Sequence, residues 1–289
     1  MRSALMTKLA VLAVATALTG CIKSKQYWTI YPDGSGKVEI ENTLMGMMAQ
    51  MAKMGGQMGP DAGEAQDPYQ MIKESVKGKV YWSDFEAKDG PNGEYVLKGT
   101  AYFENINDVS TGDDEDSKLV WKKNDDGSFS LVMQNDEATE GLPGMPGMGE
   151  GGEPSSPEEK AQQEQMKAMM MGMLAGFEVK IAFTGPGEVT DMKGFQTKDG
   201  RTVAFTLTED DVKALMNKEK TPPKQLSATF AAPGEGLAAE FEAFKKALAE
   251  AKAKAQKEDA GEGKGGDSDH GKKENDEDSG SENGGSQQF

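Results

Sequence analysis

The chain has 289 residues, a formal net charge of −17, 36% apolar and 7% aromatic residues, and one cysteine. The negative charge argues against nucleic acid as a partner and against a polybasic grip on anionic lipid. The apolar content suits one modest core rather than two large ones. With one cysteine no disulfide forms within the chain, so burial alone must hold an exported domain together.

Arg2 and Lys8 make a positive start, and an apolar run from Leu9 to Leu18 follows, interrupted only by Thr16. Such a run has the length of a signal-peptide core and falls short of the about 20 apolar residues that cross a bilayer. At its end, Leu18-Thr19-Gly20-Cys21 resembles the lipobox of signal peptidase II substrates. The resemblance implies that residues 1–20 are a signal peptide that is removed, and that Cys21 is the lipidation site. Two or three acyl chains there would anchor the protein stably, where one holds only marginally. An ordinary secretory signal with a chance cysteine is the alternative. Ile22, not Asp, follows Cys21; the sorting rule of such lipoproteins then implies the outer membrane, facing the periplasm, rather than the inner membrane. Residues 21–26 read as a lipidated tether. It allows a stand-off of roughly 17 Å at most, which keeps the folded part, 27–257, near the membrane surface.

Apolar residues then alternate in Tyr27 to Tyr31 (Trp28, Ile30), Val38/Ile40, Val80/Trp82, Leu119/Trp121, Phe177 to Phe183, Val203 to Leu207 and Leu226 to Phe230. Side chains two apart share a face, so each run predicts a strand with one apolar face. Asp-Gly turns separate them at Asp33-Gly34, Asp89-Gly90, Asp126-Gly127 and Asp199-Gly200. Glycine accepts the positive φ that hairpin turns need, so these turns predict antiparallel pairs. Asp33-Gly34-Ser35 lacks the alternating oxygen ligands and closing Glu of a calcium loop and reads as a turn.

Cap-and-proline signals at Asp67-Pro68-Tyr69-Gln70 and Ser156-Pro157-Glu158-Glu159 predict helices over 68–77 and 157–175. Thr208 to Asp211 opens a third helix, running to about Asn217. A fourth follows Pro233-Gly234, with Leu237, Phe241, Phe244 and Leu248 on one stripe. Residues 136–156 read as a Gly/Pro/Met-rich linker, and 258–289 as an acidic tail too polar to bury a core. The sum is one α+β domain: a mainly antiparallel, twisted sheet of hairpins with helices packed on one face.

Nineteen methionines are unusual. They cluster at Met45, Met47, Met48, Met51, Met54 and Met58, and at Met166, Met169, Met170, Met171 and Met173. Three readings stand: packing, an adaptable apolar surface for acyl chains or a partner helix, and a thioether site for Cu(I). Catalytic signals are lacking. His270, the single histidine, sits in the acidic tail. No HExxH, nucleophile elbow or P-loop occurs. Asp113 to Asp116 and Glu209 to Asp211 read as solvated charge and as a helix first turn. No cofactor is called for.

The hairpin from Tyr27 to Leu44, the stretch Phe183-Thr184-Gly185-Pro186-Gly187-Glu188-Val189-Thr190-Asp191-Met192-Lys193-Gly194, and Asp199-Gly200-Arg201-Thr202-Val203-Ala204-Phe205-Thr206-Leu207 together resemble an LppM-type lipoprotein domain. That resemblance implies an α+β envelope lipoprotein without an established catalytic site, and carries no functional residue beyond Cys21. The chain departs from the family in its Met-rich helices, in its Gly/Pro insert and in having no following transmembrane helix. The expected function is non-enzymatic: a membrane-anchored envelope lipoprotein that binds a lipid or a protein partner near the membrane surface. The alternative is metal handling through the methionine clusters.

Overall fold

A computed structural model describes residues 22–53, 69–111, 118–134, 174–217, 219–221 and 223–262. The signal segment, Cys21, the linker at 136–156, residues 157–173 of the expected second helix, and the chain beyond 262 lie outside the described residues.

The strands are β1 (Ile22–Ile30), β2 (Gly36–Leu44), β3 (Lys77–Gly78), β4 (Val80–Asp89), β5 (Tyr95–Phe103), β6 (Val109–Ser110), β7 (Leu119–Lys123), β8 (Phe129–Gln134), β9 (Glu178–Thr184), β10 (Val189–Lys193), β11 (Thr197–Asp199), β12 (Thr202–Thr208) and β13 (Gln225–Phe230). Among the described residues four α-helices join them: α1 (Gly46–Lys53), α2 (Gln70–Glu74), α3 (Glu209–Met216) and α4 (Leu237–Glu262). One sheet runs β11-β12-β9-β1-β2-β5-β4, a second runs β10-β13-β8-β7, and β3 pairs with β6.

The α+β class and the antiparallel bias hold, and all four Asp-Gly turns close hairpins. Two of them use the same chemistry. Asp33 Oδ1 accepts from the backbone N–H and hydroxyl of Ser35 at 3.0 and 2.5 Å. Asp126 Oδ1 does the same for Ser128 at 2.9 and 2.6 Å. Gly34 and Gly127 both adopt φ +84°, which a side chain would resist.

Four expectations need correction. First, residues 22–26 are not a slack tether, because β1 starts at Ile22. Second, there are two main sheets, and their side chains share one core. It runs from Trp28, Val38, Phe103 and Phe183 of the larger sheet to Trp121, Phe129, Leu131 and Phe230 of the smaller. Third, β1 and β9 pair in parallel, Trp28 opposite Phe183. Fourth, the helices divide between the two faces. Ala49 of α1 and Ile72 of α2 join the core beneath the larger sheet. α4 lies on the other face, where Leu237 and Phe244 pack with Tyr31, and Phe241, Leu248 and Tyr102 adjoin them. Alternation makes this possible: Leu97, Ala101 and Phe103 of β5 point inward and Tyr102 outward.

Helix boundaries shift too. The helix expected over 68–77 is one short turn, Gln70–Glu74. α3 begins as expected, with Thr208 and Asp211 forming a capping box. α4 reaches Glu262, past the expected start of the tail at 258.

β4 carries a bulge. Ser83 pairs with Thr100 and Glu86 with Lys98, so Asp84 and Phe85 together oppose Gly99. Asp84 takes φ 54°, and the bulge turns Phe85 inward beside Trp82 and Tyr69, with ring centroids 5.6 and 4.7 Å away. A Cβ on Gly99 would stand 3.0 Å from that phenyl ring.

Candidate functional site

The registers define the end of the larger sheet at which β1 begins. Ile22 pairs with Leu44, Leu44 with Tyr95, and Tyr95 with Asp89. On the other side Lys23 pairs with Glu178, and Glu178 with Thr208. β1 is the middle of seven strands, so Ile22 lies at the middle of that end.

Local contacts tie the neighbouring segments down. Half-buried Met45 leads from β2 into α1, and Lys53 at the far end of α1 pairs with Asp89 and lies 5.6 Å from the Tyr95 ring centroid. Glu209 accepts the Gly176 N–H at 2.8 Å, which fixes the turn ahead of β9, and it also pairs with Lys213. Those two partners hold its carboxyl below the usual range, Lys213 chiefly. Asp211 is likewise lowered, first by Lys220 and then by the Thr208 cap. Glu209 and Asp211, expected in a helix first turn, are therefore engaged in helix and turn structure.

The methionine clusters are placed only in part. Met47, Met48 and Met51 belong to α1; Met54, Met58 and Met166 to Met173 lie outside the described residues, as do His270 and Asp113 to Asp116. Among the described residues no group of three or more His, Cys, Asp and Glu is arranged to hold a metal ion. No helix among them is long and apolar enough to cross a membrane.

A shallow groove of about 320 Å³ crosses the outer face, lined by Tyr27, Glu39, Glu41, Asp84, Glu86, Lys98 and Thr100 among others. Lys98 pairs with Glu41, and Lys25 lies 4.0 Å from it. The hydrogen bond from Lys98 holds the Glu41 carboxyl low and raises the lysine in turn. Tyr27 is 41% exposed, with Lys180 5.9 Å from its ring centroid. The groove is therefore a partly neutralised, water-facing surface.

Sequence reasoning missed a cluster at the start of α4. Buried Tyr31 donates its hydroxyl to Glu240 at 3.4 Å. Arg201 bonds both Glu240 oxygens at 3.2 and 3.4 Å and the Gly185 carbonyl at 2.9 Å. Phe241 and Phe244 sit 4.9 and 4.5 Å from the Tyr31 ring. These residues lie far apart in sequence, so no local pattern announces the cluster.

Burial first, and then the Glu240 charge, push the Tyr31 phenol from 10.0 up to about 12. The native state thus keeps this proton through a range where the unfolded chain loses it. The resulting stability is complete below pH 10 and fades as pH rises to about 12. Two units amount to roughly 2–3 kcal/mol. Urea unfolding between pH 9 and 12 should show that decline on top of those from Tyr102 and the paired lysines, which are also raised, and Tyr31→Phe should make it shallower; an equally steep decline in the variant would refute the assignment.

Compared with known families and with characterised proteins, the chain finds no match in sequence. Among solved structures it is similar to the NMR structure of the folded domain of the Mycobacterium tuberculosis LppM protein. That match has 14% identity and a TM-score of 0.34, and covers 75% of this chain and 94% of that one.

Proposed function

We propose that this chain is a non-enzymatic lipoprotein of the bacterial envelope, anchored through acyl groups on Cys21 in the outer membrane and facing the periplasm. It binds a lipid or an envelope protein close to the membrane surface. Leu18-Thr19-Gly20-Cys21 at the end of the apolar run carries the reading. A folded strand beginning at Ile22 supports it, because the domain then starts one residue after the proposed acylation site.

Mass spectrometry of the protein purified from its native membrane tests the anchor. The expected N-terminus is Cys21 bearing two or three acyl chains, with residues 1–20 gone. Cys21→Ser should move the protein from the membrane pellet to the soluble fraction almost completely. A free Cys21 thiol, or an intact residue 1–20 segment, would refute the anchor. The same spectra report any co-purified lipid; a soluble, folded chain that binds neither acyl chains nor a membrane protein would refute the binding role.

A further inference from the structure

α4 is held apart from the rest of the core. Among its described side chains only Leu237, Phe244 and Ala251 are buried, one every seven residues. None of them belongs to the main core; Leu237 and Phe244 form a separate cluster with Tyr31. The linker before the helix, residues 232–236, is exposed throughout. A Cβ at Gly234 or Gly236 meets nothing within 4 Å, and a cleft of about 270 Å³ opens beside the linker between Pro186, Glu188, Arg201 and Leu237. The Ala231 N–H, donating to the Glu188 carbonyl at 2.7 Å, makes the last backbone bond to the sheets among the described residues. From Ala232 onward side chains alone hold the helix down. Segments with few buried apolar contacts open before the rest of a fold.

The face that α4 covers has the features of a helix-recognition site. Tyr31, Tyr102 and Tyr81 stand on the outer face of the larger sheet, Tyr81 opposite Tyr102. The Phe244 ring centroid lies 4.5 Å from that of Tyr31 and 6.2 Å from that of Tyr102. Tyrosine suits such a surface, with a rigid apolar ring and a polar tip. Two charged contacts bracket the rings. At one end Arg201 and the Tyr31 hydroxyl hold Glu240. At the other, Lys252 donates to Glu104 at 2.7 Å and lies 5.4 Å from the Tyr81 ring centroid. Glu240 and Lys252 are separated by about 18 Å of helix.

We propose that this face is a docking site for an amphipathic helix of a partner protein, and that α4 occupies it in cis until such a helix displaces it. The contacts specify the partner's chemistry. It carries apolar side chains at i, i+4, i+7 and i+11, as α4 does in Leu237, Phe241, Phe244 and Leu248. A carboxylate at i+3 meets Arg201 and Tyr31, and an ammonium at i+15 meets Glu104. Release costs α4 little of its own structure, because it is rich in alanine, lysine and glutamate and carries the pairs Glu242–Lys245 and Lys246–Glu250. The helix in cis lowers the apparent affinity for a competitor by the fraction of time that the face is open. This rests on the envelope-protein arm of the proposed function and is independent of Cys21.

The probe is a synthetic, fluorescein-labelled peptide of residues 233–257, titrated with the chain from Cys21 to Phe289 in buffer without lipid or detergent and read by fluorescence anisotropy. Phe244→Ala in the chain weakens the helix in cis, so this variant should bind the peptide at least tenfold more tightly than the wild-type chain. A peptide that itself carries Phe244→Ala should bind the variant at least tenfold more weakly. Adding Arg201→Ala to the Phe244→Ala chain should reverse the gain at least fivefold. Equal affinity for the wild-type and Phe244→Ala chains would put the peptide elsewhere, and no binding to the variant would leave the face unable to take a helix in trans; either overturns the proposal. Amide hydrogen exchange over 24–30 and 36–44 should be the same in both chains; lost protection there would make α4 part of the core and overturn it too. A wild-type dimer in light scattering that Phe244→Ala dissociates would put a second copy's α4 on this face and overturn the claim for another protein. Acylation of Cys21 and any bound lipid are read by mass spectrometry of the native protein, so failure here is distinct from failure of the anchor or of lipid binding.

Discussion

Replacing Trp28 with alanine should cost about 3–5 kcal/mol of stability, the upper range for truncating a buried aromatic. The indole is 1% exposed on the middle strand of the larger sheet. Its ring centroid is 5.9 Å from Phe103 on β5 and 5.8 Å from Phe183 on β9. Both rings are fully buried and held by paired strands, so the void has little room to collapse. The substitution also strips buried Gln26 of the Trp28 Nε1–H donor that its Oε1 accepts at 3.3 Å, leaving a polar group short of a partner. Guanidinium unfolding should show the midpoint falling with the slope unchanged. Val120→Ala, at a 46% exposed position, should stay within about 0.5 kcal/mol. A loss below about 1 kcal/mol for Trp28→Ala would mean that this aromatic row does not form the centre of the core.

Legibility followed the range of the forces involved. The α4 stripe of Leu237, Phe241, Phe244 and Leu248 was readable because helix periodicity is local, and the structure places it against Tyr31 and Tyr102. The hairpin turns were readable because Asp, Gly and Ser make their bonds within a few residues. The first half of β1 was not. Lys23, Ser24, Lys25 and Gln26 show no apolar rhythm, since both faces there carry polar side chains. Backbone pairing with β2 on one side and β9 on the other extends the strand to Ile22. The β1–β9 pairing joins residues more than 150 apart, and no turn motif encodes such a parallel contact. Division of the strands into two sheets was hidden for the same reason: alternation shows that a strand has an apolar face, not which sheet it enters.

The candidate site divides along the same line. Cys21 is proposed from a short linear motif, the kind of signal that needs no fold to be read. The neighbours of Ile22 were not legible, because they depend on where β2 ends and β9 begins. Glu209 and Asp211 show the converse. As sequence they are an acidic cluster; in the fold their oxygens meet Gly176, Lys213, Thr208 and Lys220, which accounts for their charge without a ligand.

Gly36→Ala should be destabilising by about 3 kcal/mol or more, the severe end of overpacking, although Gly36 does not use a left-handed conformation. Its requirement is space. Gly36 opens β2 between Ile30 of β1 and Phe103 of β5. A Cβ there would lie 2.1 Å from the Thr29 carbonyl oxygen and 2.7 and 2.9 Å from Phe103 ring atoms. The ring belongs to a fully buried side chain tilted against Trp28, and the carbonyl belongs to the backbone of the middle strand. Neither yields without moving a paired strand. Gly127→Ala is the control: its Cβ meets nothing within 4 Å, so the φ of +84° is the main cost, about 1–2 kcal/mol. Combining Gly36→Ala with Phe103→Leu separates the two clashes. It relieves the ring and leaves the carbonyl, so recovery should be less than half, read by urea unfolding. Full recovery would place the whole constraint on Phe103 and show that β1 and β2 can separate at this turn without unfolding the sheet.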